Sequence, residues 1–245
     1  MSDVVILCYH ALSDDWPADL NVHPDRFERQ IGLMLDRGYE AATFSEAVLD
    51  KGHHRKTLVV TFDDAFRSVQ ERALPILQRL RIPATVFTVT RFAPRGERLM
   101  WDGIDHWGAG PHAAELASMT WGELRDLSAL GWEIGSHTRT HPHLTALSDS
   151  ELQQELRASR DECARGVGRE CESIAYPYGD VDPRVTAAAR AAGYRAGAAL
   201  PAHAHRQRPL EWPRVGVYWN DDLRRFKLKV SRIVRAARLA AHRRR

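Results

Sequence analysis

Short apolar runs alternate along the chain with longer stretches in which apolar residues recur every three or four positions, and the two periods predict different elements. The runs "VVILCY" (4–9), "TLVVTF" (57–62), "ATVFTV" (84–89), "WEIGS" (132–136), "SIAY" (173–176), "YRAGA" (194–198) and "RVGVY" (214–218) read as strands, with "EAAT" (40–43) a further short one. Between them, "PDRFERQIGLMLDRG" sets Phe27, Ile31, Met34 and Leu35 on one helical face and closes with Gly38, a residue type that ends helices. The segments "SDSELQQELRASRDECARGVG" and "DPRVTAAARAAG" carry the same period. The second opens with Asp182 as N-cap and Pro183 at the first helical position. Strands alternating with helices in this way predict β/α units around a mainly parallel sheet.

Two segments depart from the alternation. Residues 91–119, with their glycines, prolines, Trp101 and Trp107, read as a long loop insertion, and such loops often border a site. Beyond residue 221, Phe226, Val230, Ile233, Val234 and Ala237 form one apolar stripe on an otherwise cationic helix. The expected division is therefore one domain over 1–221 and a basic amphipathic tail over 222–245. The tail holds ten Lys and Arg against one Asp, a net +9, so the overall +3 leaves −6 on the rest of the chain. An acidic domain argues against nucleic acid as partner. The tail reads as a solvated charge run, a helix docked on the domain, or an anchor at a membrane surface.

A chain of 245 residues supports a single large core, and 44% hydrophobic with 27% charged residues is an ordinary globular composition. No apolar run is long enough to span a bilayer. The N-terminal "MSDVVILCYHAL" lacks a basic region and a small-residue cleavage site, so the expectation is a cytoplasmic protein, with peripheral contact at the inner membrane face through the tail. Cys8, Cys163 and Cys171 are odd in number and form no C-x-x-C pair, which fits a reducing compartment.

Candidate chemistry gathers where predicted strands end. "TFDDAF" puts Asp63 and Asp64 side by side after the second long run; two such carboxylates stay ionised together only beside a cation. "SHTRTHPH" supplies His137 and His141 after another strand, and Pro142 disfavours a helical conformation at His141, which predicts a turn-like loop. "AYPYGD" follows a third strand, and its Pro177-Tyr178-Gly179 turn can aim the Tyr178 N–H at an oxyanion. His10 ends the first strand. Four polar clusters at the carboxyl ends of separate strands are the layout of a barrel enzyme.

"TFDD", "SHTRTH" and "YPYG", in that order, resemble the first three signature motifs of the polysaccharide deacetylases of carbohydrate esterase family 4, with the NodB-homology domain; the resemblance covers roughly residues 4–219. It implies an α/β fold, a distorted (β/α) barrel of about seven strands. It implies a metal-dependent N-deacetylase in which Asp64, His137 and His141 bind a divalent metal, usually Zn2+, and Asp63 is the general base. The implied substrate is an N-acetylated glycan, or a lipid-linked or soluble sugar precursor, with Pro177, Tyr178 and Trp101 at the substrate. Trp107, Trp121 and Trp219 are further candidates for sugar stacking. Two motif positions differ. The arginine that orients the base in the family is Ala175 here, and Arg214, or secondarily Arg208, is the candidate replacement. The family's late histidine is missing, and His10 is the first candidate for the acid, with His203 and His205 next. These departures keep two alternatives open: a catalytically weak, metal-containing glycan-binding protein, and a deformylase or amidase acting on another amide.

Overall fold

The computed structural model describes residues 3–49, 56–200 and 208–241. Eleven strands occur there: β1 (Asp3–Tyr9), β2 (Ala11–Leu12), β3 (Asn21–Val22), β4 (Glu40–Ala41), β5 (Lys56–Phe62), β6 (Thr85–Thr88), β7 (Glu133–Ser136), β8 (Ser173–Ala175), β9 (Ala196–Ala199), β10 (Trp212–Pro213) and β11 (Val215–Gly216). The helices are α1 (Pro24–Asp36), α2 (Phe44–Leu49), α3 (Leu74–Leu80), α4 (Trp121–Ala129), α5 (Asp149–Val167), α6 (Pro183–Ala192), α7 (Leu223–Lys229) and α8 (Arg232–Ala241).

Nine strands form one sheet in the order β10-β9-β8-β7-β6-β5-β1-β11, with β4 pairing the first half of β5, and every pairing is parallel. β10 pairs with β9 and β11 with β1, yet only Arg214 separates β10 from β11 in the chain. One five-residue segment thus joins both ends of the sheet, and the result is a nearly closed barrel. The sequence pattern predicts a single strand at 214–218; the segment is instead two two-residue strands hinged at Arg214, because each half pairs with a different edge.

Alternation along the strands sorts side chains into two layers. Val5, Leu7, Leu58, Val60 and Phe62 join the main core beneath the helices. Ile6, Val59, Phe87, Ala175, Ala196 and Ala198 form a smaller cluster with Phe44 of α2. Two residues further along β1 and β5, that second face changes from apolar to polar at Cys8, Thr61 and Asp63. Caps fix the long helices as their sequences require. Ser148 and Glu151 form a capping box on α5, and the Asp182 side chain accepts from the Val185 N–H at the start of α6.

The insertion at 91–119 folds as two short 3-10 turns, Asp105–Gly108 and Ala113–Leu116. It is pinned by antiparallel bridges Phe66 to Ser118 and Arg98 to Ala117. The tail departs from the single helix expected. It breaks between α7 and α8, with Phe226 and Val230 buried in the main core while Leu228 and Ile233 are 62% and 82% exposed. Arg235 of α8 bonds to Asp3 and to the Val4 carbonyl at the start of β1. No helix among the described residues is long and apolar enough to cross a membrane.

Candidate active site

Asp63 and Asp64 leave β5 in different directions because Asp64 and Ala65 both take left-handed backbone, φ 67° and 59°. Thr138, His141 and Tyr178 share that conformation, at φ 67°, 64° and 59°. Non-glycine residues adopt it at a cost, and its concentration at one cleft marks a site in which the surrounding structure holds side chains in place. The left-handed turn at His141 replaces the helical one that Pro142 disfavours. It is braced by the Thr138 hydroxyl, which accepts from the His141 N–H at 3.1 Å.

Asp63 is buried, and Arg214 donates to both its oxygens, Nη1 to Oδ1 at 2.6 Å and Nη2 to Oδ2 at 2.7 Å. The same Nη1 donates to Thr61 Oγ1 at 3.0 Å, which fixes the guanidinium plane. Burial is the largest single influence on the Asp63 pKa and pushes it up, but the charge and hydrogen bonds of Arg214, joined by His137 and His10, together outweigh it and hold the carboxyl well below the usual carboxylate range. Arg214 thus pairs with Asp63, a contact that the short Ala175 side chain cannot make. Arg208, the weaker candidate, lines a separate surface cleft with Thr186, Arg190 and Glu211.

Asp64 has the opposite environment. Burial first, and the Asp63 charge second, push its pKa well above the ordinary value. Its Oδ1 is buried without a hydrogen-bond partner, 3.4 Å from His137 Nε2 and 3.5 Å from His141 Nε2. His137 Nδ1 lies 2.8 Å from the Ala175 carbonyl, so that nitrogen carries the proton and the Nε2 lone pair faces Asp64. Burial lowers the pKa of both imidazoles, which keeps them neutral. An orphaned carboxylate oxygen close to two neutral imidazole nitrogens fits a divalent cation, for which three N and O donors are brought together here.

Cys8, His10 and Asp63 also bring three donor atoms together. There, however, both Asp63 oxygens already accept from Arg214, whose charge opposes a second cation. Cys8 Sγ instead donates to Asp63 Oδ2 at 3.4 Å. His10 Nε2 stands 4.0 Å from the same oxygen, and burial lowers its pKa to about 4. His203 and His205 lie outside the described residues.

A cleft of about 610 Å³ opens over these groups, lined by His10, Asp63, Asp64, His137 and His141 and walled by Trp101, Trp107, Tyr178 and Tyr218. Of the three residues expected at the substrate, Trp101 and Tyr178 line the cleft, whereas Pro177 is buried and does not. Trp121 packs against Gly166, and Trp219 sits beneath the Arg26 guanidinium, so neither lines the cleft. Sequence reasoning missed Tyr218, whose ring lies parallel to His10 at 6.4 Å, and Asp19 and Asp102 on the rim. Tyr218 ends the predicted strand "RVGVY", and the strand-end rule that picks out His10 applies equally to it.

Comparison with known proteins agrees with this geometry. The family profile described as polysaccharide deacetylase matches residues 50–197. The Bacillus subtilis (strain 168) protein YxkH is 26% identical over 196 residues, 78% of this chain and 62% of YxkH. A poly-beta-1,6-N-acetyl-D-glucosamine N-deacetylase of Staphylococcus aureus (strain MRSA252) is 26% identical over 192 residues, 74% of this chain and 61% of that protein. The chain thus spans under two thirds of the length of either relative. Among solved structures, the Streptococcus pyogenes deacetylase PplD in complex with acetate shares the fold. Its TM-score is 0.76 at 23% identity, over 93% of this chain and 98% of that one.

Proposed function

The chain belongs to the polysaccharide deacetylase family, and from that premise we propose that it is a metal-dependent hydrolase removing N-acetyl groups from an amino-sugar glycan. The first substrate class is a polymer or oligomer of N-acetylglucosamine, by analogy with the staphylococcal relative, a poly-beta-1,6-N-acetyl-D-glucosamine N-deacetylase. Lipid-linked or soluble N-acetylated sugars are the next. The observation that carries the reading is the paired arrangement in one cleft: Asp63 clamped by Arg214, beside Asp64 unpaired between His137 and His141.

Asp64, His137 and His141 would hold a divalent cation, zinc by their N and O donors, and it would supply Lewis acidity toward the amide carbonyl and a lowered pKa for the attacking water. The protein's own groups do the rest. Asp63 stays ionised through its pairing with Arg214 and accepts the proton of that water at Oδ2. A carboxylate of such low basicity takes a proton only from an acidified donor, so the two aspartates act as a unit. His10, 4.0 Å from Oδ2, receives the proton and passes it to the leaving amine nitrogen. The N–H of Tyr178, a cleft-lining residue on left-handed backbone, donates to the developing oxyanion in this reading. Acetate and a free amino sugar result. The tail's exposed Leu228 and Ile233, set among arginines and lysines, support peripheral contact with an anionic bilayer as part of the same proposal.

The test is metal analysis of the purified protein followed by assays of acetate, formate and ammonia over β-1,6-linked N-acetylglucosamine oligomers, other N-acetylated sugars and lipid-linked sugars. Acetate release is expected. Formate or ammonia would move the reading to a deformylase or an amidase, and tight glycan binding without any release would move it to a binding protein.

A further inference from the structure

The two histidines facing Asp64 are held by different means. His137 has the usual arrangement for an imidazole that serves a metal: its second nitrogen donates to a backbone carbonyl, that of Ala175, at 2.8 Å, which fixes both tautomer and ring plane. His141 has no such support. Its Nδ1 is buried and finds no hydrogen-bond partner in another residue, although its Nε2 lies 3.5 Å from Asp64 Oδ1. A ring with only one anchored nitrogen can swing about its side-chain torsions, and a donor that swings loses its share of a three-residue site.

What surrounds His141 is aromatic. The Trp101 indole stacks on the imidazole with centroids 4.2 Å apart and planes 19° from parallel. Tyr178 meets it edge-on at 4.7 Å and 70°. Trp101 itself packs against Phe92, at 5.9 Å, and its carbonyl accepts from the Ile104 and Asp105 N–H groups at 3.2 and 3.1 Å. The indole face is thus supported from behind by its own insertion.

Resting on the metal reading above, we propose that Trp101 is a positioning residue for His141: its indole face does by stacking what the Ala175 carbonyl does for His137 by hydrogen bonding. A flat wall stacked on the ring opposes rotation of the imidazole out of its plane, and the edge-on contact with Tyr178 adds a second restraint. The insertion at 91–119 then has a part in assembling the metal site, in addition to bordering the cleft. Because loss of an outer-shell partner typically lowers metal affinity about 10–100-fold, the effect is large enough to read directly.

The experiment measures Zn2+ affinity by chelator competition, and the visible spectrum of the Co2+-substituted protein, for the wild type and for Trp101→Phe, Trp101→Leu and Trp101→Ala. Circular dichroism and thermal melts of the metal-free proteins accompany them. The expected result is an affinity loss of about 10-fold or more in Trp101→Leu and Trp101→Ala, with an altered Co2+ spectrum. Trp101→Phe, which keeps an aromatic face, should stay within about 3-fold of wild type. Leucine retains apolar bulk, so a difference between Phe and Leu isolates the stacking plane from simple packing. Equal affinity in wild type, Leu and Ala, with a raised KM for glycan alone, would overturn the proposal and leave Trp101 as a sugar platform. Failure of the wild type to bind either metal would overturn the metal reading itself, an outcome distinguishable from the first.

Discussion

At the scale of single residues, adjacency of two carboxylates is resolved by giving each its own counter-charge. Asp63 has Arg214, and Asp64 is left for a cation. Asp63→Asn should cut acetate release by about 10²–10⁴-fold while bound metal stays at the wild-type stoichiometry, measured by kinetics and metal analysis side by side. Arg214→Met leaves the Asp63 carboxylate buried and unpaired, at a cost of about 3–5 kcal/mol in chemical denaturation. The double variant Asp63→Asn, Arg214→Met should recover most of that loss without recovering activity. Asp64→Asn removes a buried carboxyl whose ionisation the site disfavours in the absence of a cation, so the metal-free variant should melt above the metal-free wild type. The wild type should gain about 2.7 kcal/mol when Zn2+ is supplied at a hundredfold excess over its Kd, and the variant should gain almost none. Asp63, Asp64, His137 and His141 were legible in the sequence because each motif is local. The Arg214 pairing was legible only as a choice between two arginines, since it spans 151 residues. The Ala175 carbonyl and the Trp101 stack leave no signature, for one is backbone and the other depends on how an irregular loop folds back.

At the scale of elements, the barrel sets its polar residues by strand alternation, so anything that shifts a strand shifts the chemistry. β7 ends one residue before His137, and its Gly135 has no room for a side chain. A Cβ there would lie 2.5 Å from Ser173 Oγ and 2.7 Å from the Phe87 ring. Gly135→Ala is therefore expected to cost about 1–3 kcal/mol in urea unfolding, by forcing β6 and β8 away from β7. Metal affinity should fall with it, because the strand that carries His137 must move. The strands of four or more residues and the three longest helices were predictable from periodicity, as was the insertion. β10 and β11 were not resolvable as separate strands, because two-residue strands have no period to read and their partners lie on opposite edges of the sheet. The tail misled for a related reason. Its stripe is real, but Phe226 and Val230 bury in the domain while Ile233 does not, and a single-face projection cannot tell a docked stripe from an exposed one.

At the scale of the whole molecule, α8 and the cleft lie toward opposite ends of the barrel, whereas α7 reaches back to the cleft rim, with Lys229 over the Tyr218 ring. α8 is tied by Arg235 to the start of β1, whereas His10 follows the end of that strand. Seven residues of strand put about 20 Å between them. If α8 meets an anionic bilayer through Ile233 and its cations, the cleft is held off the headgroups, which suits a glycan chain reaching outward better than a short lipid-linked sugar. Each basic residue near such a surface contributes about 1 kcal/mol, and burying an isoleucine adds to it. Removing residues 222–245 is a poor test, because Phe226 and Val230 belong to the main core. Substituting Leu228 and Ile233 by Asp leaves that core intact. The wild type is expected to float with phosphatidylglycerol vesicles at low salt, to be released by high salt, and to ignore neutral phosphatidylcholine. The double Asp variant should stay unbound in all three. Equal flotation of wild type and variant would assign the interaction to another surface and remove the tail from the account.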